Sequence, residues 1–299
     1  MVKRLLIVAL VAMPLQSHAQ SSLTLFGLLD EGVTYVSNAD GHSLVQMASG
    51  IQAPNLLGLR GVEDLGGSYT AFFVLDSQPD LNTGKQNGGA FTGRESYVGL
   101  ASPYGTLSMG RQFDYMFDNL SVARWGHQIP FVSLYQLPGG PFSKLGTPLG
   151  TFDYTRIAGG EATPNSVKFT SKNYAGFNFG AMYGFSNIAG APGSNNLMSF
   201  GANYDSGPLR LNAAYTYSKE DGIDDGHSGI RNFGAGGRYD FGRFALDVLY
   251  TNTRNTFTNG HVDSYEVGGL VTFAPDLFLY ANYIYAKGNE EGKRPANPS

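Results

Sequence analysis

The sequence contains no cysteine and a single tryptophan, Trp125. Without cysteine there is no disulfide framework and no histidine–cysteine metal set, and an oxidising compartment poses no stray-thiol hazard. Positive charge is scarce: 20 Lys plus Arg against 24 Asp plus Glu give a formal net charge of −4, which removes the electrostatic case for nucleic-acid binding. Beyond the N-terminal stretch there is no long uninterrupted apolar run, so a helical membrane protein is excluded. A transmembrane β-barrel is not excluded, because its strands need only alternate. Histidine is also rare: His18, His42, His127, His227 and His261. The last four fall in expected loops, with no GxSxG elbow nearby, which argues against hydrolases built on a barrel wall. The acidic stretch KEDGIDDG, with Asp221, Asp224 and Asp225, lacks EF-hand spacing and reads as a solvated loop. No strand-then-helix nucleotide fingerprint occurs, and no cofactor is implied.

What is present points the other way. The chain carries 41 glycines, 18 tyrosines and 20 phenylalanines, a composition suited to a Gly- and Tyr-rich β protein. At the N-terminus, Lys3 and Arg4 precede the apolar run Leu5–Leu15, and Ser17-His18-Ala19 offers small residues before Gln20. The run is too short to span a bilayer. It predicts a cleaved export signal over 1–19, cut between Ala19 and Gln20, leaving a more acidic mature chain.

Alternation at period two recurs throughout. Tyr69, Ala71, Phe73 and Leu75 share one face, and Thr70, Phe72, Val74 and Asp76 the other. The same holds for Phe177–Phe185, Leu209–Tyr217, Phe244–Tyr250 and Tyr265–Phe273. We count about thirteen strands, near 22–36, 51–62, 68–76, 93–101, 105–112, 165–171, 177–185, 197–204, 209–217, 230–239, 243–251, 264–273 and 277–286. Short turns (Glu63–Gly67, Ser102–Gly105, Lys172–Gly176, Asp205–Pro208, Asp240–Gly242, Ala274–Asp276) alternate with longer polar loops (Ser37–Ser49, Ser77–Phe91, Ser186–Asn196, Ser218–Gly229, Asn252–Asp263). Aromatic residues gather at strand ends, and the second face is small, polar or charged. These traits favour an all-β transmembrane antiparallel barrel over a soluble sandwich. An odd strand count is awkward for closure, and the tail 287–299 is polar and not strand-like.

Phe113–Thr163 interrupts the pattern for roughly fifty residues, far beyond the ~15 at which a structureless loop is unusual. It contains Trp125 and the apolar piece IPFVSLYQLPGG. Such a segment should pack on something. A fold into the barrel interior would bring Asp114, Asp118, Asp153 and Glu161 opposite the wall; a mobile extracellular lid or receptor-binding loop is the alternative.

SSLTLFGLLDEGVTY (21–35), LGLRGVEDLGGSYTAFFVLD (57–76), RESYVGLASPYGTLSMGRQFD (94–114), NSVKFTSKNYAGFNFGAMYGF (165–185) and GPLRLNAAY (207–215) resemble the general porins of Gram-negative bacteria, in the β-proteobacterial branch. The resemblance implies a sixteen-stranded trimeric barrel with an inward third loop. It also implies passive diffusion of small hydrophilic solutes and ions across an outer membrane that carries lipopolysaccharide. It implies an expected domain at 20–299, incomplete at its C-terminus: relatives end on a strand with a terminal Phe, and this chain ends Asn297-Pro298-Ser299. Relatives also carry Ser-Arg where this chain has Asn55-Leu56, which implies weaker anion preference. The candidate constriction cations are Arg94, which matches the family arginine, and Arg60, Arg111 and Lys168, facing loop acids across the narrowest point. Arg60 and Lys168 alternate against apolar neighbours and should look into the lumen. Arg94 falls in register with Val98 and Leu100, and Arg111 with Leu107 and Met109, so a bulge or strand end is needed at each. The competing readings are a non-conducting adhesin or receptor and a truncated product.

Overall fold

A computed structural model describes residues 21–289 except 40, 51–52, 87–88, 124–152, 158, 160–161 and 276. The export signal with its Ala19–Gln20 junction, the centre of the long interruption, Glu161 and the end of the tail lie outside the described residues.

Thirteen strands form one antiparallel sheet. In sheet order these are β1 (Ser22–Leu28), β4 (Leu56–Gly66), β5 (Tyr69–Ser77), β6 (Glu95–Ser102), β7 (Gly105–Gln112), β8 (Thr163–Ser171), β9 (Phe177–Gly184), β10 (Leu197–Ser206), β11 (Leu209–Lys219), β12 (Gly229–Asp240), β13 (Phe244–Asn255), β14 (His261–Ala274) and β15 (Leu277–Gly288). Two further strands, β2 (Glu31–Ala39) and β3 (His42–Ser49), pair among the described residues only with each other. Among the described residues β1 and β15 are not paired to one another, so the sheet is open there.

The expected strand over 22–36 is therefore cut in two, and the expected loop Ser37–Ser49 is mostly strand. The cause is local to Asp30. Its carbonyl accepts from Gly50 N (2.7 Å), its carboxylate accepts from Ala53 N (2.8 Å), and its own N–H is taken by the Asn55 side chain. These bonds tie Gly50, Ala53 and Asn55 to Asp30, and β2 pairs with β3 in a register shifted from that of β1 with β4.

The turn expected at Glu63–Gly67 also lies later. Glu63 pairs with Ala71 and Asp64 with Thr70 inside the ladder. A bulge follows, closed by Gly66 N donating to Asp64 Oδ1 at 2.8 Å. The chain reverses at Gly67-Ser68, with Gly66, Gly67 and Ser68 all at positive φ (80°, 60° and 67°). Glycine occupies that conformation without a Cβ penalty.

The two faces of the wall differ as alternation requires. On one face large apolar side chains stand bare: Val98 is 60 % exposed, Phe200 51 % and Tyr283 71 %. On the other, Ser199, Thr216 and Asn232 are fully buried. A bare apolar face on every strand suits hydrocarbon and not water. The buried polar face needs something covering it. That cover is the start of the long interruption: a single helical turn α1 (Tyr115–Phe117), running into a wider π-type coil at Asp118–Ala123. Tyr115, Met116 and Leu120, with Ile157, close a small apolar core against Met182, Leu197, Ala214 and Leu249 of the wall.

Candidate pore constriction

α1 begins where Asp114, in an extended conformation, caps it: Oδ1 accepts from Met116 N (2.9 Å) and Phe117 N (3.3 Å). The other carboxylate oxygen bonds the Arg156 guanidinium, and both side chains are buried. One acid thus starts the helical turn and ties the outgoing limb of the interruption to the returning one. The cap contributes about 1 kcal/mol, and removing one member of a buried pair costs ~3–5 kcal/mol. Asp114→Ala is therefore expected to free this segment. The measurement is amide hydrogen exchange over 113–123, which should rise sharply while that of β10–β13 stays slow.

Three kinds of contact fix the segment to the wall. The first is shape. Gly180, Gly201, Ala214 and Gly234 occupy directly paired positions on β9, β10, β11 and β12 and form one cross-strand row. A Cβ on Gly180 would overlap the Tyr115 hydroxyl, one on Gly201 would collide with Tyr115 and Asn119, and one on Gly234 would lie 2.7 Å from Leu120. The row is a groove cut to receive α1. The second is hydrogen bonding. Tyr115 N donates to Ser199 Oγ (3.0 Å), and its hydroxyl donates to the Phe169 carbonyl (2.6 Å). Burial pushes the Tyr115 phenol pKa up, so it stays a neutral donor. Asn119 donates to the Ala213 carbonyl (3.1 Å) and accepts from Asn203 (3.0 Å), which in turn meets Asn178 and Asn212. On the returning limb, the Tyr154 carbonyl accepts from Asn232 and Thr253, both at 2.9 Å. The third is charge. Lys168 donates to the Phe113 carbonyl (2.7 Å), pairs with Asp118 and lies 5.0 Å from the Tyr115 ring centroid.

Of the cations expected from the sequence, Lys168 is on the covered face and is engaged with Asp118. Arg94 precedes β6 at a bend, off the strand parity. From there it reaches Asp76 (3.4 Å) and Glu95 (3.8 Å) and stacks over Phe113 at 4.7 Å. Arg111 sits at a register shift between Gly110 and Gln112 and donates from Nε to the Gly93 carbonyl (2.6 Å). Asp153 is buried, and its carbonyl accepts from Arg156 N (2.9 Å). Arg60 shares its face with Val74 and Tyr97 through the ladder, is exposed, and lies 5.5 Å from the Phe26 ring centroid. It has no carboxylate in ion-pair distance among the described residues. Sequence reasoning missed Tyr115, Asn119, Arg156 and the glycine row. The available signal was small residues at inward positions of neighbouring strands.

An antiparallel wall with an apolar outside, a polar inside and a chain segment packed onto the inside defines a membrane channel that crosses with strands. The family described as Gram-negative porin matches residues 7–297, and the chain belongs to it. The chain is 30 % identical over 278 residues to an outer membrane porin protein of Bordetella pertussis, covering 82 % of this chain and 67 % of that protein. It is 29 % identical over 265 residues to outer membrane porin protein 32 of Delftia acidovorans, covering 85 % and 70 %. Its fold resembles a solved anion-selective porin from Comamonas acidovorans, with TM-score 0.70 and 24 % identity over 90 % of this chain and 80 % of that one. The protein is an outer-membrane diffusion porin.

Proposed function

We propose that the lumen passes small hydrophilic solutes and ions without chemistry, and that the interruption after β7 sets its narrowest point. The observation that carries this is the seating of α1 in the glycine row, which keeps a structured segment on the polar face of the wall. The pore rim formed there is close to charge-balanced: Arg94 meets Asp76 and Glu95, Lys168 meets Asp118, and Arg156 meets Asp114. Leu56 lies on the same strand and the same face as Arg60. Anion selectivity belongs to the name of the solved relative; for this chain we propose a weaker preference, leaning on Arg60. Planar-bilayer recording tests both parts. Stable open channels with a small reversal potential under a salt gradient are expected. Silence from folded protein would refute the channel reading, and a strongly anion-selective pore would refute the charge balance.

Assembly as a homotrimer in an outer leaflet of lipopolysaccharide is part of the same reading. The outward face of β1 and β4–β7 holds an apolar hollow of about 930 Å³, lined by Leu23, Gly61, Ala71, Phe73, Leu100 and Met109 among others. A neighbouring subunit would fill it. Met109→Arg places a charge there, at ~2–4 kcal/mol if it faces hydrocarbon. It is expected to shift the protein from trimer to monomer on semi-native electrophoresis, and an unchanged trimer would move the interface elsewhere.

A further inference from the structure

Two arginines face each other on the outward side of the wall. Arg231 of β12 pairs directly with Arg254 of β13, and Arg254 pairs in turn with His261 of β14. All three lie near the end of the wall that carries the long connections. Like charges directly opposite in a ladder are destabilising unless an anion lies between them. No carboxylate is in ion-pair distance of either arginine among the described residues. Arg231 donates weakly to Asn252 (3.4 Å), lies 5.9 Å from the Phe233 ring centroid, and has a buried Nε without a partner. Arg254 donates to Asn259 (2.8 Å). The acid on this face, Asp263, is committed elsewhere. It accepts from Tyr250 (2.7 Å) and Asn252 (2.9 Å), lies 3.7 Å from His261, and sits in register with Lys287.

Towards the middle of the wall from these arginines runs a continuous row of rings. Phe233 meets Tyr250 at 5.8 Å, Tyr250 meets Tyr265 at 5.0 Å, and Tyr265 meets Tyr285 at 6.3 Å. Such a row marks the level where hydrocarbon gives way to headgroups. The arginine pair therefore stands at headgroup depth, facing lipid, with its charge unanswered. We propose that Arg231 and Arg254 clamp a phosphate of the outer-leaflet glycolipid, whose acyl chains lie along the aromatic row. Arginine's planar fork matches phosphate oxygens, and basic residues at a bilayer surface recruit anionic headgroups. The proposal rests on the porin reading in one respect, that this face meets lipid.

The test uses the full chain folded in detergent, with bisphosphorylated lipid A as probe. The double variant Arg231→Gln/Arg254→Gln is expected to bind about thirtyfold more weakly than wild type. Arg243→Gln, in the turn at the opposite end of the wall, should bind as wild type. Dephosphorylated lipid A should bind wild type as weakly as the probe binds the double variant. Equal binding of the probe by wild type and double variant overturns the proposal, and so does displacement of lipid A by an equal concentration of inorganic phosphate. Heat-modifiable mobility and single-channel conductance, expected to be unchanged, show that the double variant folds. Lipid binding is read without current, so a silent wild-type channel would refute the porin reading and leave this assay interpretable.

Discussion

Gly201→Val is expected to raise single-channel conductance and widen the size limit for sugars in liposome swelling. The substitution suits a strand, because valine is a good strand former. Its effect is on what the strand receives. Any Cβ at this position meets the Tyr115 ring and the Asn119 amide, in the centre of the row that α1 occupies. Overpacking of this kind costs ~1–3 kcal/mol. The segment can avoid that cost by leaving the groove, at the loss of the Tyr115–Ser199 and Asn119–Ala213 bonds. Gly222→Val, where nothing lies within 4 Å, serves as control and should conduct as wild type. An unchanged conductance and size limit in Gly201→Val would mean that α1 does not set the narrowest point.

Arg60→Glu should move the reversal potential towards cation selectivity by more than any other single charge change at the rim. Arg94, Lys168 and Arg156 each stand beside a carboxylate, so reversing one of them also frees or repels its partner, and the field change is mixed with rearrangement. Arg60 is exposed and, among the described residues, lies over Phe26 with no carboxylate in ion-pair distance, so on the proposed reading its charge should act directly on passing ions. Glu63→Lys provides the contrast. Glu63 lies on the same strand but on the opposite face, near the turn, and its reversal should leave selectivity almost unchanged. A similar shift from both variants would mean that the two faces of β4 are not separated by the membrane.

Most of the wall was legible in the sequence, because alternation is a local signal. Tyr69, Ala71, Phe73 and Leu75 needed only their own spacing to be placed on one face. The break at Asp30 was not legible. It depends on Asp30 meeting Gly50, Ala53 and Asn55, twenty or more positions away, and alternation says nothing about such a meeting. The position of the turn at Gly67-Ser68 was blurred by Glu63 and Asp64, which read as turn residues and instead pair across the ladder. At the site, sequence reasoning named charges because charges stand out. What seats the loop is mainly absence of side chain, at Gly180, Gly201 and Gly234. Those glycines acquire meaning only once register sets them side by side. Arg156 was missed because nothing in its neighbourhood marks it; its partner Asp114 lies 42 positions earlier.

The central claim is that the face bearing Arg60 lines water while the face bearing Leu59 meets lipid. The natural absence of cysteine makes this directly measurable. Single cysteines are introduced as Arg60→Cys and Leu59→Cys, and current through each is recorded in a planar bilayer while a charged, water-soluble thiol reagent is added. Stepwise loss of current in Arg60→Cys, with Leu59→Cys unaffected, is the predicted result. Block of Leu59→Cys with Arg60→Cys insensitive would contradict the account.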